Sequence, residues 1–582
     1  MFARISRLRL ALSFSLLCSG ASMSARPLPA GVGADIPWTS HEAEDMQTNG
    51  SLIGLGYAPH TIETESSYQG AVRLNGAGDY VEFSAEVVGN AMIVRYSLPD
   101  APAGGGTTST LRLSVNGATV RTIELSSRNA WLYGVYPFSN DPAQGKPRNF
   151  YDEVQIRDLS IAAGDTVRLA KSTDDGLSCT LDFVDLETVA APLSAPDHAL
   201  DVRTVGARGD GESDDTAAMR RGIAKAQSTG QPLWVPPGSY LITGDLIVPS
   251  GVTIQGAGMW HTTFVGDPEL YPQADRRVRF KLQGDDMTLA DFAIFGALNY
   301  RNDQEANDGI IGSVCRNATI ARIWIEHTKV GAWIYNGTDL IITGCRFRNM
   351  LADGVNLCVA TTGSVVENCT ARGTGDDCFA IWPAPSDQGY VDEHIVPGHN
   401  IIRHCTGQLT FLANGAAIYG GANNRLENCL FTDIGTGCGI LLSTTFPTTD
   451  EDRGINNNFS GTTLVRDNVL LRCGGYDHGW AWRGAMQLCL HHRNISGLVI
   501  ERTTIEDSFS DGLTIVAPGT EQGYGTLSDT RIVELTVNGV GLGTEKSHAL
   551  FVREDARGEL TLVDSDLPSE RNASSGFKVE QR

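Results

Sequence analysis

Three aspartates, Asp353, Asp376 and Asp377, sit in the stretch LADGVNLCVATTGSVVENCTARGTGDDCFAIW, residues 351–382. Each stands just before a short apolar run, GVNLCV or CFAIW, and the first lies 23 residues before the doublet. Carboxylates forced together cannot all ionise easily, so at least one holds its proton toward neutral pH. A proton-bearing carboxyl beside an ionised one is the equipment for glycosidic cleavage: one group protonates the leaving oxygen, the other activates water or attacks carbon. Aromatic residues that could stack on sugar faces accompany the trio: Trp382, Tyr335, Tyr419, Trp480 and Trp482. Asn356, Gln487 and Asn414 hold comparable strand positions from which to bond hydroxyls, and His491 and His492 lie beyond a strand on the same face.

The elements that must position the trio recur from about Val252 onward. One strand series reads MTLADFAIFG, ATIARIWIEH, LIITGCRFRN, SVVENCTARG, NIIRHCTGQL; a second, offset within each repeat, reads GAWIYNG, DGVNLCV, DDCFAIW, GAAIYGG, CGILLST. A steady period of short β-branched strands with Gly, Asn and Asp at the corners is the signature of a solenoid. Without intervening helices it predicts a right-handed parallel β-helix. Coils stack at about 4.8 Å, so aligned carboxylates become neighbours whatever the loops do. Successive residues of a strand face opposite ways, so Asp376 and Asp377 can share one cleft only if the chain bends, and Gly373 and Gly375 are the candidates for that bend.

Ahead of the repeats, residues 35–190 alternate as short strands separated by turn residues, which predicts a β-sandwich. The Ala/Pro-rich VAAPLSAPDHAL marks the boundary, and residues 198–575 form the β-helix domain, so the fold class is all-β, a sandwich followed by a β-helix. Ser213 or Asp214 can cap a helix from about Asp215 to Ser228, and Asp210, Asp214 and Asp215 are expected to serve that turn and cap. The N-terminus, with Arg4, Arg7 and Arg9 before a short apolar core, reads as a cleaved signal peptide over residues 1–25, so the protein is expected to be secreted. Twelve cysteines include Cys18 in that segment; the recurring GCR, NCT, HCT and NCL around Cys345, Cys369, Cys405 and Cys429 predict an internal stack of core thiols. The net charge of −23 and the lack of a basic stripe exclude nucleic acid as partner and disfavour a polyanionic substrate. No membrane partner is expected, and the chain is expected to act as a monomer.

The helix-bearing segment from Asp201 to Gly258, with GARGDG and WVPPGSY, resembles the entry to pectate-lyase-like β-helices. ADGVNL followed by TGDDCFAIW resembles the catalytic core of glycoside hydrolase family 87, the bacterial α-1,3-glucanases and mycodextranases, whose β-sandwich precedes a β-helix. That resemblance implies inverting endo-hydrolysis of α-1,3 bonds in a neutral α-glucan, with no cofactor for catalysis. It carries over Asp376 as general acid and Asp353 and Asp377 as the groups that activate water. Polygalacturonases share the doublet but add GHG in the next coil, where this chain has NGAAIYGG. Pectate lyases need a basic residue as base, and only Arg372 or Arg403 stand near. A pectin-active enzyme and a non-catalytic glycan-binding β-helix remain the alternatives. The sandwich itself resembles carbohydrate-binding modules of families 6 and 35, which implies a structural calcium at Glu42, Glu44 and Asp182.

Overall fold

The computed structural model describes residues 30–385, 396–477 and 481–582; the expected signal peptide and Trp480 lie outside them. Alternation of apolar and polar residues builds the N-terminal sheets. In Thr108–Val115 every second side chain turns inward as far as Leu113, as a half-buried antiparallel strand requires. Two antiparallel sheets, of six and five strands, face each other between Trp38 and Glu187. Val72, Val94, Leu111, Leu113, Leu169 and Val184 fill the space between them.

From Leu200 the strands pair in parallel, in a 24-stranded and a 12-stranded sheet among the described residues. Each coil near the site contributes three short strands, for example Ile341–Thr343, Arg346–Arg348 and Val355–Cys358. The next coil places Val365–Glu367, Thr370–Arg372 and Phe379–Trp382 directly on them. Ile342, Val366, Phe347, Leu357 and Ile381 stack inside as one continuous core. The residue before each stacked thiol must turn the corner in a left-handed conformation: Gly344, Asn368, His404 and Asn428 have φ of 63°, 51°, 50° and 54°. Glycine and short polar residues tolerate that region best, which explains the GCR, NCT, HCT and NCL rhythm. The 11 described cysteines are all free and buried.

The one α-helix among the described residues, Thr216–Thr229, packs Met219, Ile223 and Ala226 onto the start of the solenoid core. Asp214 accepts from Thr216 N, Asp215 from the Arg208 and Gly209 amides, and Asp210 from Glu212 N and Ser213 N, so all three acids are used by the turn. No helix among the described residues is long and apolar enough to cross a membrane.

The sandwich is fastened to the flank of the β-helix by buried ion pairs. Arg372 reaches Glu153 at 2.6 Å and Asp185 at 3.0 Å, Arg346 reaches Glu187 at 2.8 Å, and His327 meets Asp152 at 2.8 Å. The Trp260 and Trp324 rings pack edge to face beside Ala91 and Ile93. Two domains joined through desolvated charges with good geometry are held in one orientation, because breaking any pair strands a buried charge.

Candidate active site

None of the three aspartates lies in a strand. Asp353 occupies the turn before Val355–Cys358, and Asp376 and Asp377 the turn between Thr370–Arg372 and Phe379–Trp382. The alternation of strand faces therefore does not constrain the doublet. Gly373 is left-handed at φ +68°, and a side chain on Gly375 would strike the Leu351 carbonyl and the Phe411 ring at 2.5 and 2.3 Å. Both glycines are thus needed for the turn. The parallel register, with Gly354 N donating to Asp377 O at 3.0 Å and Cys378 N to Asn414 O at 2.9 Å, sets Asp353, Asp377 and Asn414 at successive levels.

One carboxylate oxygen from each member of the trio lies within 4.8 Å of the others. Asp377 is buried and fixed at both oxygens: Asn414 Nδ2 donates to Oδ1 at 2.7 Å and the Tyr419 hydroxyl to Oδ2 at 2.9 Å. Burial and the Asp376 charge push the Asp377 carboxyl up to about 8, against the pull of Asn414 and Tyr419. Asp353 is also buried, and Asn356 Nδ2 donates to it at 3.4 Å. Burial first, then Asp376 and Asp377, hold it well above the usual carboxylate range. Asp376 differs: its side chain is 22% exposed and meets Arg301 Nη2 at 2.6 Å. Arg301 is itself buried, donating to Gly375 O at 2.6 Å, to Leu351 O at 3.3 Å and to Asp303 at 3.0 Å. Asp353 and Asp377 are the members whose carboxyls are raised, while the member paired with a cation is the one facing the cavity. Sequence reasoning assigned the acid to Asp376 without this guanidinium.

The trio opens into a cavity of about 250 Å³. Trp333, Trp382, Tyr419 and Phe446 form an aromatic side, with the Trp333 and Trp382 rings 6.4 Å apart at 89°. Arg301, Asp303, Asn307 and Lys329 form a charged side. Tyr335 and Asn356 line it too, and Asn356 Oδ1 and Trp333 Nε1 are buried without a partner among the described residues, where a ligand's hydroxyls could meet them. Trp482 sits in a hairpin against Tyr476, and Gln487 pairs beside Leu441 farther along the solenoid; neither lines this cavity. Arg372 is committed to Glu153 and Asp185, and Arg403 to Glu367 at 2.7 Å, so neither serves as a lyase base at the trio. Arg301, Asp303, Asn307, Lys329, Trp333 and Phe446 were not singled out from the sequence. A signal for the first three was present: ALNYRNDQEAND is a charged insertion between strands of the repeat, and such loops wall clefts.

The sandwich carries a second group of acids. Glu42 and Glu44 each leave Oε2 buried without a partner, as does Gln69 at Oε1. Burial and mutual repulsion hold Glu42 well above the carboxylate range, raise Glu44 to about 8 and raise Asp182 to about 7. Arg95 already pairs with Asp182, so the open oxygens are those of Glu42, Glu44 and Gln69.

Two family descriptions match the chain: Alpha-1,3-glucanase catalytic domain D1 over residues 35–189, and Alpha-1,3-glucanase catalytic domain D2 over residues 216–495. The chain belongs to the alpha-1,3-glucanase family. This is glycoside hydrolase family 87, and the alpha-1,3-glucanase assignment covers both the sandwich and the β-helix. The catalytic unit of the thermostable GH87 alpha-1,3-glucanase from Streptomyces thermodiastaticus strain HF3-3 is 28% identical, with a TM-score of 0.78 over 94% of this chain and 93% of that one. The Agl-KA catalytic domain shares the fold at a TM-score of 0.84, 23% identical over 96% of this chain and 100% of that one. Other GH87 catalytic domains, 23% identical, carry tetrasaccharides or nigerose. The substitutions in three of these complexes fall on aspartates separated by 23 and by 1 positions. Among curated proteins, the pre-neck appendage protein of Bacillus phage phi29 is 25% identical over 246 residues, 37% of this chain. The chain spans only 27% of that relative's length.

Proposed function

We propose that the protein is a secreted hydrolase that cuts α-1,3-glucosidic bonds within a neutral α-glucan, using Asp353, Asp376 and Asp377. The observation that carries this is a carboxylate trio opening into a half-aromatic cavity in a chain of the alpha-1,3-glucanase family. The spacing of Asp353, Asp376 and Asp377 equals that of the aspartates replaced in the saccharide complexes of relatives, which supports the same trio here. Asp376, the exposed member, meets the glycosidic oxygen and passes it the proton held among the buried carboxyls. The buried carboxyl that has released its proton through Asp376, either Asp353 or Asp377 with its Asn414 and Tyr419 anchors, then takes one from the attacking water. Arg301 keeps Asp376 aimed into the cleft.

Stereochemistry separates two readings. The family resemblance favours inversion, but two-carboxylate inverting sites usually hold their groups about 6.5–9.5 Å apart and retaining sites about 5–5.5 Å. One oxygen from each aspartate lies within 4.8 Å of the others, so inversion would use a water seated above the trio, and retention with Asp376 as nucleophile is the second reading. Proton NMR of the product formed first decides between them: β-anomer for inversion, α-anomer for retention. Purified protein is assayed for reducing ends on α-1,3-glucan, nigeran, dextran and polygalacturonate. Release from α-1,3-glucan that Asp376→Asn abolishes is expected; a parent inactive on all four overturns the reading. The arginine-bearing apolar N-terminus supports export. A calcium ion at Glu42, Glu44 and Asp182, as the sandwich resemblance implies, would neutralise the crowded acids there.

A further inference from the structure

We propose that the β-sandwich is part of the catalytic cleft, and that Tyr136 is the residue through which it acts, as a sugar-contacting wall and as a positioning residue for Arg301. The inference rests on the trio being the hydrolytic site. Tyr136 belongs to the sandwich, in the loop between the paired strands Leu132–Tyr133 and Pro147–Arg148. Yet it lines the same cavity as the three aspartates, the one lining residue among those described that comes from outside the β-helix.

The loop is not draped loosely over the site. Leu132 and Phe138, on either side of Tyr136, are buried in the core cluster of the β-helix. Arg301 N donates to Phe138 O at 3.0 Å, and Arg148 covers the Phe138 ring at 4.2 Å. The Tyr136 ring stands edge-on to Phe138, 5.9 Å away. From there its hydroxyl accepts from Arg301 Nη2 at 3.0 Å, with the guanidinium 4.7 Å from the ring centre. That same nitrogen holds Asp376 Oδ2 at 2.6 Å. The sandwich thus reaches the exposed catalytic carboxylate through two contacts, Tyr136 to Arg301 and Arg301 to Asp376.

The ring remains 45% exposed, although a tyrosine fixed this firmly could have been covered. It packs on Arg301 in the part of the cavity that holds Asp303, Asn307 and Lys329, while Trp333, Trp382, Phe446 and Tyr419 contact one another and Tyr335 approaches Asn307 at 3.4 Å. A glucosyl unit beside Asp376 would therefore find apolar area in that part chiefly at Tyr136. A planar ring offers such area at little cost in side-chain entropy. The other ion pairs between the domains, at Arg372, Arg346 and His327, hold this loop in register with the cleft.

The test uses the full chain and an α-1,3-linked glucotetraose. Tyr136→Leu keeps apolar bulk against Phe138 and loses the planar ring; Tyr136→Phe keeps the ring and loses the hydroxyl. Val135→Ala, at a neighbour 84% exposed, is the control. Tyr136→Leu is expected to raise KM by about tenfold, one ring contact's worth. Tyr136→Phe is expected to leave KM within about twofold, lower kcat and displace the basic limb of the kcat–pH profile, because Arg301 loses a fixed partner. A loop that serves docking alone would lower the melting temperature in both variants and move neither KM nor the pH limb; that result overturns the proposal, as does Tyr136→Leu with parental KM. Where the parent binds the tetraose without cutting it, the hydrolase reading fails, and the same variants still report on the wall through Kd. A parent that neither binds nor cuts overturns both.

Discussion

Among the described residues, two clusters each bring three ionisable side chains within 4.8 Å: Asp353, Asp376 and Asp377, and Asp152, Glu326 and His327. The second lies between the domains, and its carboxylates are held by a cation and by amides, although burial still raises Glu326 to about 7. His327 Nε2 faces Asp152 at 2.8 Å, Asn349 Nδ2 donates to Asp152 at 3.2 Å and to Glu326 at 3.0 Å, and Gln155 Nε2 reaches Glu326 at 3.4 Å. Burial alone would lower His327, but Asp152 and Glu326 raise it to about 9, so it is a cation at neutral pH. The first cluster has one guanidinium for three carboxylates and opens into a cavity. Crowding of acids is common to both. What distinguishes a reactive cluster from an adhesive one is uncompensated charge together with access for a ligand, since buried and fully satisfied charges rigidify without reacting.

The strongest test of this contrast exchanges a single acid in each cluster. Asp377→Asn is expected to lower kcat by about 10³-fold or more while leaving the melting temperature close to that of the parent. Asp152→Asn should do the reverse, leaving kcat nearly intact and lowering the melting temperature; equal effects on both quantities in both variants would erase the distinction. Next in size, Arg372→Met leaves Glu153 and Asp185 buried without their cation and should cost roughly 3–5 kcal/mol by denaturant unfolding. The loss should appear without a change in cleavage specificity.

The pH dependence sharpens the comparison further. The His327 proton is held more tightly folded, at about 9, than at its ordinary 6.5. Its contribution is therefore full below pH 6.5 and lost as pH rises through about 9. His327→Gln should cost roughly 3 kcal/mol near pH 6 and little by pH 10. At the trio the same sign acts on activity: Asp377 gives up its proton near pH 8, so kcat should fall above about pH 8. The smallest expected effect belongs to Arg301→Gln. It should lower kcat by about ten- to a hundredfold and shift the basic limb upward, because Arg301 is a charge that holds Asp353 down. An unshifted limb would detach Arg301 from the proton-bearing groups.

Much of this molecule was legible in the chain itself. The repeat gave the stacking, and stacking made Asp353 a neighbour of Asp377, because parallel register is a one-dimensional property that a period reveals. The left-handed corners at Asn368 and Asn428 were visible as residue types, as was the thiol row behind them. Alternation in 35–190 announced a sandwich for the same reason: a two-residue period has one physical meaning. The doublet's geometry was read less well. The expected bend within a strand is a turn outside any strand, held open at Gly373 and Gly375.

What the sequence by itself determined is the carboxylate trio, the solenoid that aligns it and the aromatic residues within a coil or two of it, all consequences of local pattern and repeat. Only the tertiary structure decided what charge meets that trio and what closes the cleft. Arg301 lies 75 residues from Asp376 and Tyr136 165 residues from Arg301. Neither separation is a multiple that a repeat could disclose, because both contacts depend on how an irregular loop folds and on how a second domain docks. Those are set by the ion pairs of an interface whose two halves are written far apart in the chain.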